Sequence, residues 1–171
     1  YNDFEAFFVK AGISISTTIA DVGYYAWDLM KYTNPVFSTL KAFGIDNVVD
    51  EAMMDMHETA DKAMGTYSSV AYGDRLDSFG NFFSHTTDLL ATNAGNFLLA
   101  ASLPGGWAMV GIGMSSAGRR KIDMLSLQKE GIEHFTEFEL AWQPLLWGVT
   151  EGATAYFGKI RLMNNAKSML R

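Results

Sequence analysis

A long stretch without ionisable side chains, from Leu89 to Gly118, limits the folds that this chain can adopt. No Asp, Glu, Lys, Arg or His occurs among these 30 residues. As one helix the stretch would be about 45 Å long at 1.5 Å per residue, more than the ~30 Å hydrocarbon core of a bilayer. Its length therefore permits a membrane span, but Asn, Ser and Thr residues within it dilute its hydrophobicity and argue against a simple lipid-facing anchor.

A Pro-Gly-Gly sequence at 104–106 divides this stretch into two arms, 89–103 and 107–118. Because proline and glycine interrupt helices, we expect a helical hairpin with arms of roughly 22 Å and roughly 18 Å. Each arm is shorter than a full crossing, so the hairpin suits either the core of a soluble bundle or insertion into a membrane. The residues predicted to form the membrane or interface surface of the hairpin are Leu98, Leu99, Leu103, Pro104, Gly105, Gly106, Trp107, Val110 and Ile112.

We favour the soluble core, because the middle of a sizeable domain can bury a helix that is apolar all round. Two features beside the hairpin keep insertion as the alternative. Trp107 adjoins the predicted turn, and a basic run of Arg119, Arg120 and Lys121 directly follows the ion-free stretch. Tryptophan and basic residues are enriched where a protein meets the membrane surface. The basic run would contact phosphate or lipid headgroups, or it would be a solvated helix start; the sequence leaves both open.

The N-terminal part of the chain predicts helices separated by Pro and Gly. Apolar residues recur at intervals of three and four until Asn34-Pro35, where the first helical segment, or a pair of them, ends. A short helix should follow from Pro35 to Phe43, with Gly44 left-handed just past its end. The apolar stripe before the proline consists of Ile15, Ile19, Val22, Ala26 and Leu29.

Further helices are predicted along the rest of the chain. An amphipathic helix, acidic on one side, should end at Gly65, with a loop at 66–74 and a helical segment at 74–83. A long amphipathic helix is expected from Ile122 to about Trp142, halted near Pro144, and a final helix from 145 to 169. The apolar stripe of the acidic helix consists of Val49, Met53, Met56, Ala60 and Ala63.

Strand-like alternation is confined to brief pieces, and Gly, Ala and Met are too frequent for a sheet of β-branched residues, which makes β structure the weaker alternative. We therefore predict an all-α fold, an irregular multi-helix bundle with a central apolar helical hairpin. The chain begins with Tyr1 and has the length of one domain, so 1–171 is expected to be a single helical domain or a fragment of a much longer chain.

Charge and cysteine content exclude several classes of function. Residues 1–88 carry 5 basic and 13 acidic groups, and residues 89–171 carry 8 basic and 6 acidic groups. A general nucleic-acid binder would show a basic face, so no specific nucleic-acid binding is expected. Cysteine is absent, which excludes disulfides, thiolate metal sites and cysteine nucleophiles. No cofactor and no small-molecule ligand is expected.

Candidate chemistry is sparse. His57 and Asp61 would share a helical face at a metal-ligand spacing, but a third ligand is not evident, and we predict no metal site. Glu133, His134 and Glu137 would supply general acid and base groups if the chain were a helical hydrolase or transferase. One turn of a charged helix produces the same cluster by chance, so we predict no catalytic residues and favour a chain that is not an enzyme.

The segment Trp147-Gly-Val-Thr-Glu-Gly-Ala-Thr-Ala-Tyr-Phe-Gly-Lys159 resembles the Gly/Ala-rich helical stretches of large bacteriophage virion proteins, of the tape-measure and internal DNA-ejection type. The helical texture of the chain, with its many Met, Gly and Ala residues, is similar too. The resemblance implies a location in the virion, with transfer to the host cell envelope and participation in a conduit for DNA. The implied partners are other virion proteins and the host membrane.

These observations lead to one principal expectation and two alternatives. The chain is expected to be a non-catalytic structural or membrane-interacting helical segment that acts through helix packing. The first alternative is the helical enzyme that would use Glu133, His134 and Glu137. The second is an obligate helical oligomer, whose apolar stripes would be buried against sister copies of the chain.

Overall fold

The structure is a computed structural model that describes the backbone of residues 3–67 and 79–169, and the side chains of 5–67, 86–158 and 160–161. Within these ranges the chain forms seven α-helices and no strands, which confirms the predicted all-α fold. The helices are α1 (Asp3–Thr33), α2 (Pro35–Ala42), α3 (Ile45–Thr66), α4 (Phe79–Thr92), α5 (Ala94–Ser102), α6 (Trp107–Lys129) and α7 (Glu137–Met169).

The first three helices begin and end at the predicted punctuation. The Asn34 side chain caps α2 by accepting a hydrogen bond of 2.9 Å from the Val36 backbone N–H, and Pro35 occupies the first turn. Gly44 has a φ of +79° between α2 and α3. α3 ends at Thr66, one residue beyond the predicted stop. Most of the loop and helix predicted at 66–83 lies outside the described residues, although its last five residues belong to α4.

α1 is the central element of the bundle. It contacts α2, α3, α4, α5 and α6, whereas α7 packs mainly against α6. The side chains that α1 directs toward its neighbours therefore determine what holds these five helices to it.

The predicted hairpin is formed by α5 and α6, which contact each other on either side of the turn at 104–106. Gly105 has a φ of +55°, and the Trp107 N–H donates to the Pro104 carbonyl over 3.2 Å. The arms differ from the predicted ones. The first is interrupted at Asn93, between α4 and α5, and the second continues through the basic run to Lys129.

The predicted helix from Ile122 to Trp142 is wrong, because α6 ends at Lys129 and the chain turns before α7 begins. Gly131 has a φ of +73° and its N–H donates to the Gln128 carbonyl, while the Ile132 N–H donates to the Leu127 carbonyl over 3.0 Å. This is the arrangement of a glycine-terminated helix end, which a hydrophobic periodicity does not register.

The predicted start of the last helix at Leu145 is also wrong. α7 starts eight residues earlier, at Glu137, with a capping box. The Thr136 N–H donates to Glu139 Oε2 over 2.8 Å, and the Glu139 N–H donates to Thr136 Oγ1 over 3.2 Å. Pro144 then lies buried inside α7 rather than ending a helix. A proline there costs about 3 kcal/mol, so we attribute the continuity of α7 to its packing against α6.

Candidate functional site

The most unusual feature of the bundle is a polar stripe buried along α1. Its members recur at alternating intervals of four and three residues, which places them on one side of the helix facing its neighbours. We call this stripe the ionic seam. It consists of Lys10, Ser14, Thr17, Asp21, Tyr24, Asp28 and Lys31.

A four-membered charge cluster lies at the C-terminal end of the ionic seam. Lys31 Nζ is 2.6 Å from Asp28 Oδ1 and 2.8 Å from Asp46 Oδ2 on α3. Lys121 of α6 forms a second ion pair with Asp28. Two cations and two carboxylates thus join three helices, and their formal charges cancel.

Single pairs continue the ionic seam toward the N-terminus of α1. Asp21 Oδ1 lies 2.5 Å from His57 Nε2 of α3, and both side chains are buried. Lys10 pairs with Asp88 of α4. Each charged member of the seam therefore has a partner on a neighbouring helix, as the cost of burying a charge requires.

The carboxyl groups that α3 contributes respond differently to burial. Burial raises the pKa of Asp50, which accepts a hydrogen bond of 2.6 Å from the Tyr24 hydroxyl. Burial acts in the same direction on Asp46, but its hydrogen bonds and charge interaction with Lys31 outweigh it and lower the pKa. Asp46 is thus held as the carboxylate that the charge cluster needs.

His57 and Asp61 do not meet as metal ligands. The His57 ring is buried against Asp21, whereas Asp61 is exposed and lies 3.3 Å from Arg119 Nη2. In the part of the chain that the structure describes, no group of three or more His, Cys, Asp or Glu side chains is arranged to hold a metal ion.

The opposite side of α1 is apolar and exposed. Phe8 is 58% exposed, Ile19 59% and Leu29 42%. Two members of the stripe that identifies α1 as a helix, Ile19 and Leu29, thus lie on its outer face. Among the described residues, Glu5–Thr33 is long and apolar enough to cross a membrane by length and composition, with a mean hydropathy of 1.2 over a window of 18 residues.

The other helices also expose large apolar side chains, and the bundle buries few of them. The buried apolar residues larger than alanine are Tyr24, Tyr25, Ile112, Ile122, Met124 and Pro144 among those described. Large apolar side chains are instead exposed on every helix. The exposed ones include Val36, Leu89, Leu90, Phe97, Phe138, Trp142, Leu145, Leu146, Val149 and Phe157. A water-soluble bundle would bury most of these side chains.

The hairpin contributes to this apolar surface at its turn. Trp107 is 68% exposed, and Leu98 and Val110 are also exposed, as are the turn residues Pro104, Gly105 and Gly106. Leu99 and Leu103 are half-buried, and Ile112 is buried. The predicted hairpin surface therefore divides into an exposed tip and an inner side that packs within the bundle.

Small residues bring α6 and α7 into close contact. A Cβ atom added to Gly148 would lie 2.4 Å from the Gly113 carbonyl oxygen, and one added to Gly152 would lie 2.5 Å from the Met109 carbonyl oxygen. Gly113 and Ala117 are four residues apart on α6, as Gly148 and Gly152 are on α7. This small-residue spacing permits helix contact without large side chains at the interface.

The three residues of the basic run have different surroundings, in the middle of α6 rather than at a helix start. Lys121 is buried in the charge cluster, and Arg119 lies beside Asp61. The Arg120 guanidinium lies over the Trp147 ring, 5.7 Å from its centre. Only the two arginines are therefore accessible at the surface.

Glu133, His134 and Glu137 lie on the exposed connection between α6 and α7 and at the first residue of α7. Within the described chain, none of the three side chains forms a hydrogen bond or an ion pair. They are not assembled into an acid–base pair by the fold.

Sequence reasoning missed the ionic seam, although a signal for it exists. Ionisable and hydroxyl residues recur at heptad spacing in a helix whose other residues are mostly apolar, and this spacing can be read from the sequence. The chain matches no protein-family model, no curated protein and no solved structure.

Proposed function

We propose that this chain is a non-catalytic, membrane-interacting helical segment whose apolar outer surface contacts lipid. The proposal rests on the polarity of α1, which buries Lys10, Asp21, Asp28 and Lys31 in the ionic seam. The same helix exposes Phe8, Ile19 and Leu29. In water this arrangement forgoes the hydrophobic stabilisation that normally drives folding. Against lipid it is favourable, because charged side chains in membranes face the bundle interior and pair with one another.

The contact between α6 and α7 supports the same proposal. Helices in lipid gain little from burying apolar side chains against each other, so their interfaces use small residues and close backbone contact. Gly113, Gly148 and Gly152 provide such a contact, while Trp142 and Val149 of α7 remain exposed.

We further propose that the chain belongs to a large phage-type virion protein, located in the virion and able to enter the host envelope as part of a DNA conduit. The support is the resemblance of 147–159 to such proteins. Part of that segment, Gly148 and Gly152, packs on α6, which accounts for its glycines as helix-packing residues.

Vesicle flotation tests the membrane proposal directly. We expect the chain to float with anionic vesicles, and a Leu98→Gln/Val110→Gln variant at the exposed hairpin tip to float several-fold less. Val48→Gln is the matched control, because Val48 is 67% exposed but lies on the same side of α3 as Glu51, Asp55 and Glu58. It should leave flotation unchanged.

A second candidate function, an obligate helical oligomer, is favoured by the exposed apolar side chains of α7. A second copy of the chain would bury these side chains as effectively as lipid would. They are Phe138, Leu145, Leu146 and Phe157. Failure to float with any vesicle, together with a stable oligomer in sedimentation, would replace the membrane proposal with this one.

A further inference from the structure

A surface cleft of about 340 Å³ lies between α6 and α7, where the ion-free part of α6 meets its charged part. Its volume falls within the range of small-ligand pockets, about 300–1,000 Å³. The cleft is lined by Ser116, Arg119, Arg120, Asp123, Trp147 and Glu151.

Two guanidinium groups and two carboxylates line the cleft. Neither guanidinium forms an ion pair with either of these carboxylates. Arg119 forms an ion pair with Asp61, which lies outside the cleft. Arg120 stacks over Trp147 instead of pairing with a carboxylate. Among the described residues, neither Asp123 nor Glu151 has an ion-pair or hydrogen-bond partner. Groups of both signs are therefore available to a ligand that carries both charges.

We propose that this cleft binds a phosphate group that bears a primary ammonium, as in a phosphoethanolamine lipid headgroup. Arg119 and Arg120 donate hydrogen bonds to the phosphate oxygens, since guanidinium groups bind phosphate in a forked geometry. Asp123 and Glu151 accept from the ammonium, which has three N–H donors. The proposal rests on the proposed membrane function for the source of the headgroup.

Other headgroup chemistries fit the cleft less well. A purely anionic phosphate would be repelled by Asp123 and Glu151. A quaternary ammonium has no N–H to donate to these carboxylates and is normally bound by a cage of several aromatic rings, whereas Trp147 is the one aromatic residue that lines the cleft.

The position of the cleft along α6 agrees with a headgroup site. Trp107 at the hairpin tip and Ser116 in the cleft are nine residues apart on one helix. That separation is about 14 Å at 1.5 Å per residue, close to half of a ~30 Å hydrocarbon core. With the tip inserted, the cleft would lie near the surface of one leaflet.

Vesicle titrations with matched charge test the proposal. The whole chain is titrated with vesicles of phosphatidylethanolamine and phosphatidylglycerol, and with vesicles in which phosphatidylcholine replaces the phosphatidylethanolamine. We expect about tenfold tighter binding to the former, and loss of that preference in Arg120→Gln and Glu151→Gln. Lys129→Gln and Glu130→Gln make the same charge changes on exposed residues outside the cleft and should retain it.

Soluble O-phosphoethanolamine distinguishes the two sources of the headgroup. If the soluble compound competes with vesicles for the unmodified chain but not for Arg120→Gln, the site also binds the free headgroup. If the soluble compound does not compete, but Arg120→Gln and Glu151→Gln still lose the preference for phosphatidylethanolamine, the site binds the headgroup only as part of a lipid.

Two further results separate the site from the membrane function. A preference that is absent, or that survives in both Arg120→Gln and Glu151→Gln, would overturn the headgroup site while leaving membrane binding intact. Binding of soluble phosphoethanolamine that depends on Arg120, with no binding to either vesicle, would support the site and overturn the membrane function.

Discussion

Two helices that pack against each other, α1 and α3, present opposite surfaces to their surroundings. α3 exposes carboxylates such as Glu51 and Asp55 on its outer face, as a helix in water does. α1 buries Lys10, Asp21 and Asp28 and exposes Ile19. Under the proposed membrane function, the difference reflects what lies outside each helix, water beside α3 and an apolar medium beside α1.

α3 has one side in contact with α1 and another side exposed to solvent. α3 directs Asp46, Asp50 and His57 toward α1, where each bonds to a member of the ionic seam. The charges of α3 thus fall into two sets, one that holds the bundle together and one that is solvated.

The largest effect is expected from removing the centre of the charge cluster. Asp28→Ala leaves Lys121 buried without its carboxylate partner, so we expect it to lower the free energy of unfolding by about 3–5 kcal/mol. Urea denaturation followed by circular dichroism measures the change. Asp55→Ala, which removes an exposed carboxylate of α3, should be indistinguishable from the unmodified chain. If the two variants lose equal amounts of unfolding free energy, the ionic seam does not contribute more to stability than an exposed carboxylate does.

The next largest effect concerns the two sides of α1 itself. A Cβ atom at Gly118 of α6 would lie 2.4 Å from the Asp21 carbonyl oxygen, so Gly118→Ala must separate α1 from α6, at a cost of about 1–3 kcal/mol. Gly23 on the outer face of α1 has open space around it, and Gly23→Ala should stabilise the helix by about 0.5–1 kcal/mol. Thermal unfolding compares the two, and destabilisation by both would contradict the assignment of the inner and outer faces.

A smaller effect depends on pH. The pKa of Asp46 is lowered in the folded chain, so its contribution to stability is present above its ordinary pKa of about 3.9 and is lost as the pH falls through the lowered pKa. Asp46→Asn should therefore cost about 1 kcal/mol at neutral pH, because Asp46 is partly screened by solvent. The difference between the two chains should shrink below about pH 4 in urea unfolding. A difference that grows with acidification would contradict the ion pair with Lys31.

The smallest effect on folding is expected at exposed apolar residues of the two helices. Ile19→Gln on α1 and Val48→Gln on α3 should each change the free energy of unfolding in buffer by less than about 0.5 kcal/mol. Their effects on vesicle partitioning should differ, with a several-fold loss for Ile19→Gln alone. Equal partitioning of the two variants would remove the contrast between the helices.

The sequence predicted the helices better than it predicted their orientation. Asn34-Pro35, Gly44 and the turn at 104–106 give local signals that the fold retains. The break at Gly131 and the continuity through Pro144 depend on a left-handed residue and on packing against α6, which apolar periodicity does not record. The apolar stripe of α1 identified a helix correctly, but it did not indicate which side faces the bundle.

The candidate site was predictable only in part. The tip at Trp107 and the accessible Arg119 and Arg120 follow from the ion-free stretch and its flanks. The ionic seam and the cleft join residues far apart in the chain, such as Asp28 with Lys121 and Arg120 with Trp147. A single sequence shows the charges but not these pairings.

Under the proposed membrane function, lipid covers the outer face of α1 while water covers that of α3. Because the chain has no cysteine, single substitutions Ile19→Cys and Asp55→Cys can each carry a nitroxide label in an otherwise unreactive protein. Electron paramagnetic resonance of the vesicle-bound chain then compares collisions with oxygen, which concentrates in lipid, and with a water-soluble nickel complex. We predict that oxygen dominates at position 19 and the nickel complex at position 55. Dominance of the nickel complex at both positions would contradict the proposed contact of α1 with lipid.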